Sequence, residues 1–190
     1  TKHEDAIYFS KRVTRAVPDG GPIEAHTDLV KKLDYECELA VVLGRDARDV
    51  PAGQTRDYIF GYTILNDVSA RDVQTAHKQW YFGKSLDGFT PIGPCIVTAD
   101  AFADYPPRLG IRSFVNGEKR QDSNTALQIF DIDHVIAELS QGMTLKAGTI
   151  IATGTPAGVG MGMDPPQFLK PGDVVRCEIE GIGTLTNPVK

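Results

Sequence analysis

Two glutamates that lie two residues apart at the start of an apolar segment are the strongest chemical signal in the sequence. Glu36 and Glu38 lead into the run Leu39 to Leu43, which reads as a strand buried on both faces. Side chains alternate across a strand, so the two carboxylates point the same way. Two like charges that have lost hydration repel each other unless they share a cation, and oxygen-only ligands suit Mg²⁺, Mn²⁺ or Ca²⁺. The pair therefore predicts a metal site; the alternative is an edge strand with both glutamates in water.

A third carboxylate follows the next apolar segment. Asp67 lies where the strand predicted from the run Ile59 to Leu65 ends, so its carboxylate could join the two glutamates at one ion. A short helix is predicted after Asp67 and runs to about His77, which would place Arg71 and Gln74 on nearly one face. The alternative is that Asp67 caps this helix and forms an ion pair with Arg71.

Two other segments carry groups that could contact an anionic substrate. Lys84 lies in a Gly/Pro-rich loop flanked by aromatic residues, where it could hold a carboxylate or carbonyl oxygen, although most loop lysines are only solvated. Gly154 and Thr155 begin a Gly-rich loop whose N–H groups and hydroxyl could face an anion. The alternative is an ordinary turn, but four glycines at alternating spacing favour a close approach to a ligand.

Composition narrows the classes of function. The 190 residues are 41% hydrophobic and 24% charged, which predicts a single domain spanning 1–190. A net charge of −5 without a Lys/Arg cluster gives no support for nucleic-acid or membrane binding. The sequence has no apolar run as long as a membrane-spanning helix, and its three scattered cysteines fit reduced thiols in a cytoplasmic protein.

The segments that must position these groups are mostly strands. Asn116-Gly117 is a strong hairpin signal, and apolar residues at helical spacing predict a helix over 132–139 that begins near an Asp131 cap. The chain is therefore predicted to be mostly β with a few helices (α+β). The apolar, β-branched runs that predict strands are Ile59–Leu65, Pro91–Val97, Ile111–Val115, Thr149–Ala152, Asp173–Ile179 and Ile182–Leu185.

Four motifs in order resemble the fumarylacetoacetate hydrolase superfamily, and the resemblance extends from about Phe9 to the end of the chain. The resemblance implies a mixed β-roll or β-sandwich fold and, usually, a homodimer. The matching segments are Glu36-Cys37-Glu38-Leu39-Ala40, Asn66 to Asp72 with Gln74, Gly83 to Asp87 with Pro91 to Pro94, and Thr153 to Gly160.

The resemblance also implies roles for individual residues. It implies a divalent metal, Mg²⁺ or Mn²⁺, held by Glu36, Glu38 and Asp67. The lysine that corresponds to Lys84 contacts the oxo-acid end of the substrate in the family.

Further roles follow from the same resemblance. Thr155 and its loop, including Gly154, bind the same region of the substrate, while Arg71 and Gln74 support the site. The family commonly uses a His and a Glu on an upstream lid helix to activate water. His3-Glu4 lacks that spacing, so the general base is unassigned and a lid is expected upstream of this chain.

The chemistry implied is hydrolysis of a C–C bond in a β-diketone or 2-oxo acid, such as an acylpyruvate or a fumarylacetoacetate-like compound, through a metal-bound enolate. Two alternatives pass through the same enolate: decarboxylation of oxaloacetate, and isomerisation of 2-hydroxyhepta-2,4-diene-1,7-dioate in aromatic catabolism. A distant alternative is a non-catalytic binding module stabilised by Ca²⁺.

Overall fold

Two four-stranded antiparallel sheets pack against each other in the computed structural model, which describes residues 4–190. His3, one half of the His3-Glu4 pair, lies outside the described residues. The strands are β1 (Leu33–Asp34), β2 (Cys37–Leu43), β3 (Ile59–Asn66), β4 (Ser69–Ala70), β5 (Ile92–Thr98), β6 (Gly110–Val115), β7 (Glu118–Asn124), β8 (Ile150–Ala152), β9 (Val174–Ile179) and β10 (Gly183–Pro188). Three short helices accompany them: α1 (Arg71–Ala76), α2 (Tyr81–Lys84) and α3 (Ile132–Leu139).

The strand order places β2 and β3 in the middle of the sandwich. One sheet has the order β5-β3-β2-β8 and the other β10-β9-β6-β7, while β1 and β4 form a separate two-residue ladder. Strand β2 packs over β6, and β3 packs over β9. The edge strands β8 and β7 therefore lie on the same side of the sandwich.

Strand β2 is buried along its whole length. It pairs with β3 on one edge and with β8 on the other, so its backbone is bonded on both sides. Leu39 and Val41 contribute to the core shared with Ile111 and Ile179 of the second sheet. The edge-strand interpretation of the two glutamates is therefore wrong.

The mostly β fold with a few helices is confirmed, and each predicted strand is present to within a few residues. The turn between β6 and β7 is formed by Asn116 and Gly117, which have φ angles of 52° and 82°, as a two-residue hairpin requires. Helix α3 has the predicted bounds, and the Asp131 carboxylate accepts the His134 N–H at 2.8 Å.

Two local predictions are wrong. Helix α1 begins at Arg71 with Ala70 as its N-cap, so Asp67 does not cap it. The chain first forms β4, whose residues pair with β1, and this pairing delays the start of the helix. Lys84 does not lie in a loop; it ends helix α2 and is buried.

Close packing within the protein requires two of the glycines in the Gly-rich loop after β8. A Cβ at Gly158 would lie 2.2 Å from the Arg120 carbonyl oxygen, and one at Gly160 would lie 2.0 Å from the Gln167 carbonyl oxygen. At these two positions the predicted close approach to a ligand is wrong, because the backbone that approaches belongs to the protein.

No helix within residues 4–190 combines the length and the hydropathy that crossing a membrane would require.

Replacing Gly158 with alanine should destabilise the protein more than the same change at Gly172. The two glycines have similar φ angles, +106° and +96°, but a Cβ at Gly172 would meet nothing within 4 Å. We expect Gly172→Ala to lower the free energy of unfolding by about 1 kcal/mol through backbone strain alone. Gly158→Ala should cost roughly 2–4 kcal/mol, because the clash with Arg120 adds to that strain.

Urea unfolding of the two variants measures this difference. Equal losses for the two variants would show that the loop does not pack against β7 as closely as described.

Candidate functional site

The three predicted carboxylates converge in the structure. Glu36, Glu38 and Asp67 each offer an oxygen, and these oxygens all lie within 4.8 Å of one another. All three side chains are buried. Glu36 directly precedes β2, and Glu38 is the second residue of that strand. Asp67 directly follows the neighbouring strand β3, and its N–H donates to the Glu36 carbonyl oxygen at 2.8 Å. The antiparallel pairing of β2 with β3 thus brings Asp67 next to the two glutamates, in agreement with the prediction that the three carboxylates could meet.

Each oxygen of the Asp67 carboxylate is bonded to a different lysine. Lys84 Nζ lies 2.7 Å from Asp67 Oδ2 and 2.7 Å from Glu36 Oε2, while Lys11 Nζ lies 2.7 Å from Asp67 Oδ1. Burial by itself would raise the pKa of Asp67, but the two ammonium groups together outweigh it and lower that pKa. Burial opposes the charge of Lys84 as well, yet its two carboxylate partners raise its pKa.

Sequence reasoning missed Lys11, which reaches the site from the segment before β1. Burial is the main reason that its pKa is lowered, and Asp67 offsets only part of this. The Phe9 ring lies over Lys84, with its centroid 5.4 Å from Nζ, and packs edge-on against Trp80.

Arg71 lies beside the carboxylates but does not bond to Asp67. Its Nε donates to Asp34 Oδ2 at 2.9 Å, and its Nη1 lies 2.7 Å from Glu36 Oε1. The same Nη1 donates to Gln74 Oε1 at 3.2 Å, so helical spacing brings Gln74 to the site as predicted. The alternative of an ion pair between Asp67 and Arg71 is therefore wrong.

Asp34 is a second residue that the sequence analysis missed. Its carboxylate is fully buried and accepts the backbone N–H groups of Gly160 and Met161 at 2.7 and 2.9 Å. The Gly-rich loop thus does receive an anion, but the anion is a side chain of the protein. Asp34 in turn holds the Arg71 guanidinium in place.

Among the described residues of this cluster, four carboxylates face only three cations. Glu38 is the carboxylate without a cationic partner, and its one hydrogen bond is from the Gly154 N–H at 2.7 Å. Burial, and then repulsion from Asp67 and Glu36, raises the pKa of Glu38 well above its usual range. A divalent cation among the three carboxylates would supply the missing positive charge, and oxygen donors suit Mg²⁺ and Mn²⁺. The residues present therefore fit the predicted metal, whose identity stays a prediction.

The Thr155 hydroxyl is fixed by bonds within the protein. It donates to the Cys37 carbonyl oxygen at 3.0 Å and accepts from Gln121 Nε2 at 2.7 Å. Gln121 also donates to the Pro156 carbonyl oxygen at 2.8 Å and accepts the Cys37 N–H at 3.1 Å. These bonds tie the loop to β2 and β7; the substrate-binding roles of Gly154 and Thr155 stay predictions.

The cluster opens onto a cavity of about 770 Å³. Side chains predicted for the site line it, together with Trp80 and residues 5–9, which cover one side. The described histidines, His26, His77 and His134, do not line this cavity. The predicted site residues in its wall are Glu36, Glu38, Arg71, Gln74, Lys84, Gly154 and Thr155.

Without divalent cations, the protein should become less stable as the pH rises above the usual pKa of a glutamate. Because the pKa of Glu38 is raised by folding, the folded protein holds a proton there that the unfolded chain has released, and that favours unfolding as the pH rises. Glu38→Gln replaces this carboxyl group with an amide that does not titrate, so the free energy of unfolding should depend less on pH. The measurement is the free energy of unfolding in EDTA between about pH 5 and 8.

Glu24→Gln is the matched control, since the Glu24 side chain is 58% exposed, and this variant should keep the wild-type slope. A wild-type slope in Glu38→Gln would contradict the charge imbalance described above.

Comparisons with known proteins place this arrangement in a family. A family model described as "Fumarylacetoacetate (FAA) hydrolase C-terminal" matches residues 1–190. The oxaloacetate tautomerase YisK of Bacillus subtilis is 45% identical over 186 residues, which make up 98% of this chain and 62% of that protein. The chain thus spans a little over three fifths of the length of this curated relative.

Solved structures agree in both fold and sequence. A fumarylacetoacetate hydrolase from Exiguobacterium antarcticum superposes with a TM-score of 0.88 at 52% identity, covering 91% of this chain and 62% of that one. A 2-hydroxyhepta-2,4-diene-1,7-dioate isomerase from Mycobacterium marinum gives a TM-score of 0.86 at 44% identity, covering 97% and 69%. With the family model matched over its whole length, this chain belongs to the fumarylacetoacetate hydrolase family.

Proposed function

We propose that this chain carries the catalytic site of a divalent-metal-dependent enzyme that converts 2-oxo acids through their enolates. The observation that carries the proposal is the convergence of Glu36, Glu38 and Asp67 beside a buried lysine at the wall of a cavity. A divalent cation, when bound, would neutralise these carboxylates and polarise a carbonyl oxygen of the substrate. An open cavity beside the carboxylates argues against a closed, purely structural Ca²⁺ site.

We assign Lys84 to the oxo-acid end of the substrate. Two of its three ammonium protons are bonded to Glu36 and Asp67, and the side chain lines the cavity, which leaves the third proton for a substrate oxygen. A buried, preorganised cation stabilises the negative charge that develops on an enolate oxygen. The hydrogen bonds to the two carboxylates fix the position of this cation before substrate arrives.

Gln74 and Arg71 complete this end of the cavity. Gln74 Oε1 accepts from Arg71, which leaves the Nε2 amide of Gln74 to donate to a substrate carboxylate. Arg71 acts as a positioning residue, because its guanidinium is already bonded to Asp34 and Glu36.

Among reactions that share the enolate, proton relocation is our first candidate. It is supported by two relatives, named as an oxaloacetate tautomerase and a 2-hydroxyhepta-2,4-diene-1,7-dioate isomerase. The second candidate is hydrolysis of a C–C bond in an acylpyruvate, supported by the description of the family. Hydrolysis adds water to the carbonyl next to the bond that breaks, with the same enolate as leaving group. The homodimer stays a prediction.

Glu36→Gln should lower turnover at least about 100-fold in the presence of Mg²⁺, because it removes one of the charged groups that organise the site. Oxaloacetate and acetylpyruvate are the substrates, with enol absorbance and pyruvate release as the two signals. Loss of the enol signal without pyruvate indicates tautomerisation, and pyruvate from acetylpyruvate indicates hydrolysis. Pyruvate from oxaloacetate above the uncatalysed rate indicates decarboxylation.

Glu24→Gln, at an exposed glutamate, should keep wild-type activity, and circular dichroism checks that both variants are folded. Wild-type turnover in Glu36→Gln, or in EDTA, would rule the proposal out.

A further inference from the structure

The cavity has a second side, built by different elements, whose wall is apolar. Helices α1 and α2 provide the charged side. The second side is formed by residues of β6, β8, α3 and the connection between β7 and α3. Its apolar residues are Ile111, Leu127, Ile129, Phe130, Val135 and Ile151.

Gln128 and Thr153, two neutral polar residues on this second side, are bonded to each other. Gln128 Nε2 donates to Thr153 Oγ1 at 2.7 Å, and Thr153 Oγ1 donates to the Leu39 carbonyl oxygen. Among the described residues that line the cavity, only Arg71 and Lys84 are cations, and both are bonded to carboxylates on the charged side. A carboxylate placed on the second side would therefore lose hydration without gaining a cation.

Two apolar side chains at the mouth of the second side remain in water. Leu127 is 75% exposed and Ile129 is 55% exposed, although both line the cavity. Exposed apolar groups at the rim of a pocket are typical of ligand-binding clefts. An apolar ligand tail that runs along this wall would cover them.

We propose that this second side, with Leu127 and Ile129 at its mouth, is the specificity pocket for the tail of the oxo acid. It selects an uncharged, apolar tail over a tail that ends in a second carboxylate. This inference rests on the proposed function, which places the oxo-acid end at Lys84. Such a pocket separates the chain from relatives such as the isomerase named for a 1,7-dioate, and of the two substrates named above it favours acetylpyruvate over oxaloacetate.

The test compares two ligands of equal length that differ only at the far end. These are 2,4-dioxoheptanoate, which ends in a methyl group, and 2,4-dioxoheptanedioate, which ends in a carboxylate. Trp80 is the only tryptophan of the chain and lines the cavity, so quenching of its fluorescence in the presence of Mg²⁺ reports binding independently of turnover. The wild-type protein should bind the monoacid at least roughly tenfold more tightly.

Leu127→Lys places a cation at the mouth of the pocket and should lower this preference at least about fivefold, mainly by tightening the dioate. Leu127 is largely exposed, so the variant should fold. Leu29→Lys is the matched control, because Leu29 is also an exposed leucine, at 46%, but does not line the cavity; its preference should equal that of wild type.

Equal binding of the two ligands to the wild-type protein, or an unchanged preference in Leu127→Lys, would overturn the inference. Binding of neither ligand would overturn the proposed function and this inference with it. Selective binding of the monoacid without turnover would support the pocket while contradicting the proposed activity.

Discussion

The structure of the site depends on a buried series of alternating charges. Moving an ion out of water costs several kcal/mol unless a partner of opposite charge meets it at close range. Here each contact in the series is 2.7 Å long, so the positions of the side chains are strongly coupled. The series runs Arg71, Glu36, Lys84, Asp67, Lys11. Its members come from α1, α2, the segment before β1 and the residues next to the ends of β2 and β3, so the series fixes how these elements meet.

Pairing in the central sheet supplies the frame for that series. Glu36 and Asp67 flank the end of the β2–β3 ladder, where Cys37 pairs with Asn66. The Asn66 side chain accepts the Glu36 N–H at 2.9 Å, so the backbone next to both carboxylates is held from two directions. Paired strands in the middle of the sandwich thus place the groups that a divalent ion would need.

Much of the fold and of the candidate site could be predicted from the sequence, because it depends on the spacing of residues that are close together in the chain. The i, i+2 spacing of Glu36 and Glu38 gave their common direction, and the i, i+3 spacing brought Arg71 and Gln74 to the same site. Asn116-Gly117 and Asp131 act through turn and cap chemistry that involves only neighbouring residues.

Residues whose roles depend on distant partners could not be found in this way. Helix α2 holds Lys84, and its Gly83 lets it approach α1 so closely that a Cβ would lie 2.6 Å from the Gln74 nitrogen. That glycine suggests a loop when it is considered alone, which explains the wrong prediction for Lys84. Asp34 and Gln121 likewise gain their partners only when the fold is complete.

Gln121 connects the second sheet to the backbone at the candidate site. Its one amide reaches from the second sheet to the backbone of Cys37, between Glu36 and Glu38, and also to Thr155. The backbone beside the paired carboxylates and the Gly-rich loop are thereby both linked to the docking of the two sheets. If the two sheets separate, the Cys37 backbone and the Thr155 hydroxyl lose the same partner together, so the loop and the start of β2 loosen as one unit.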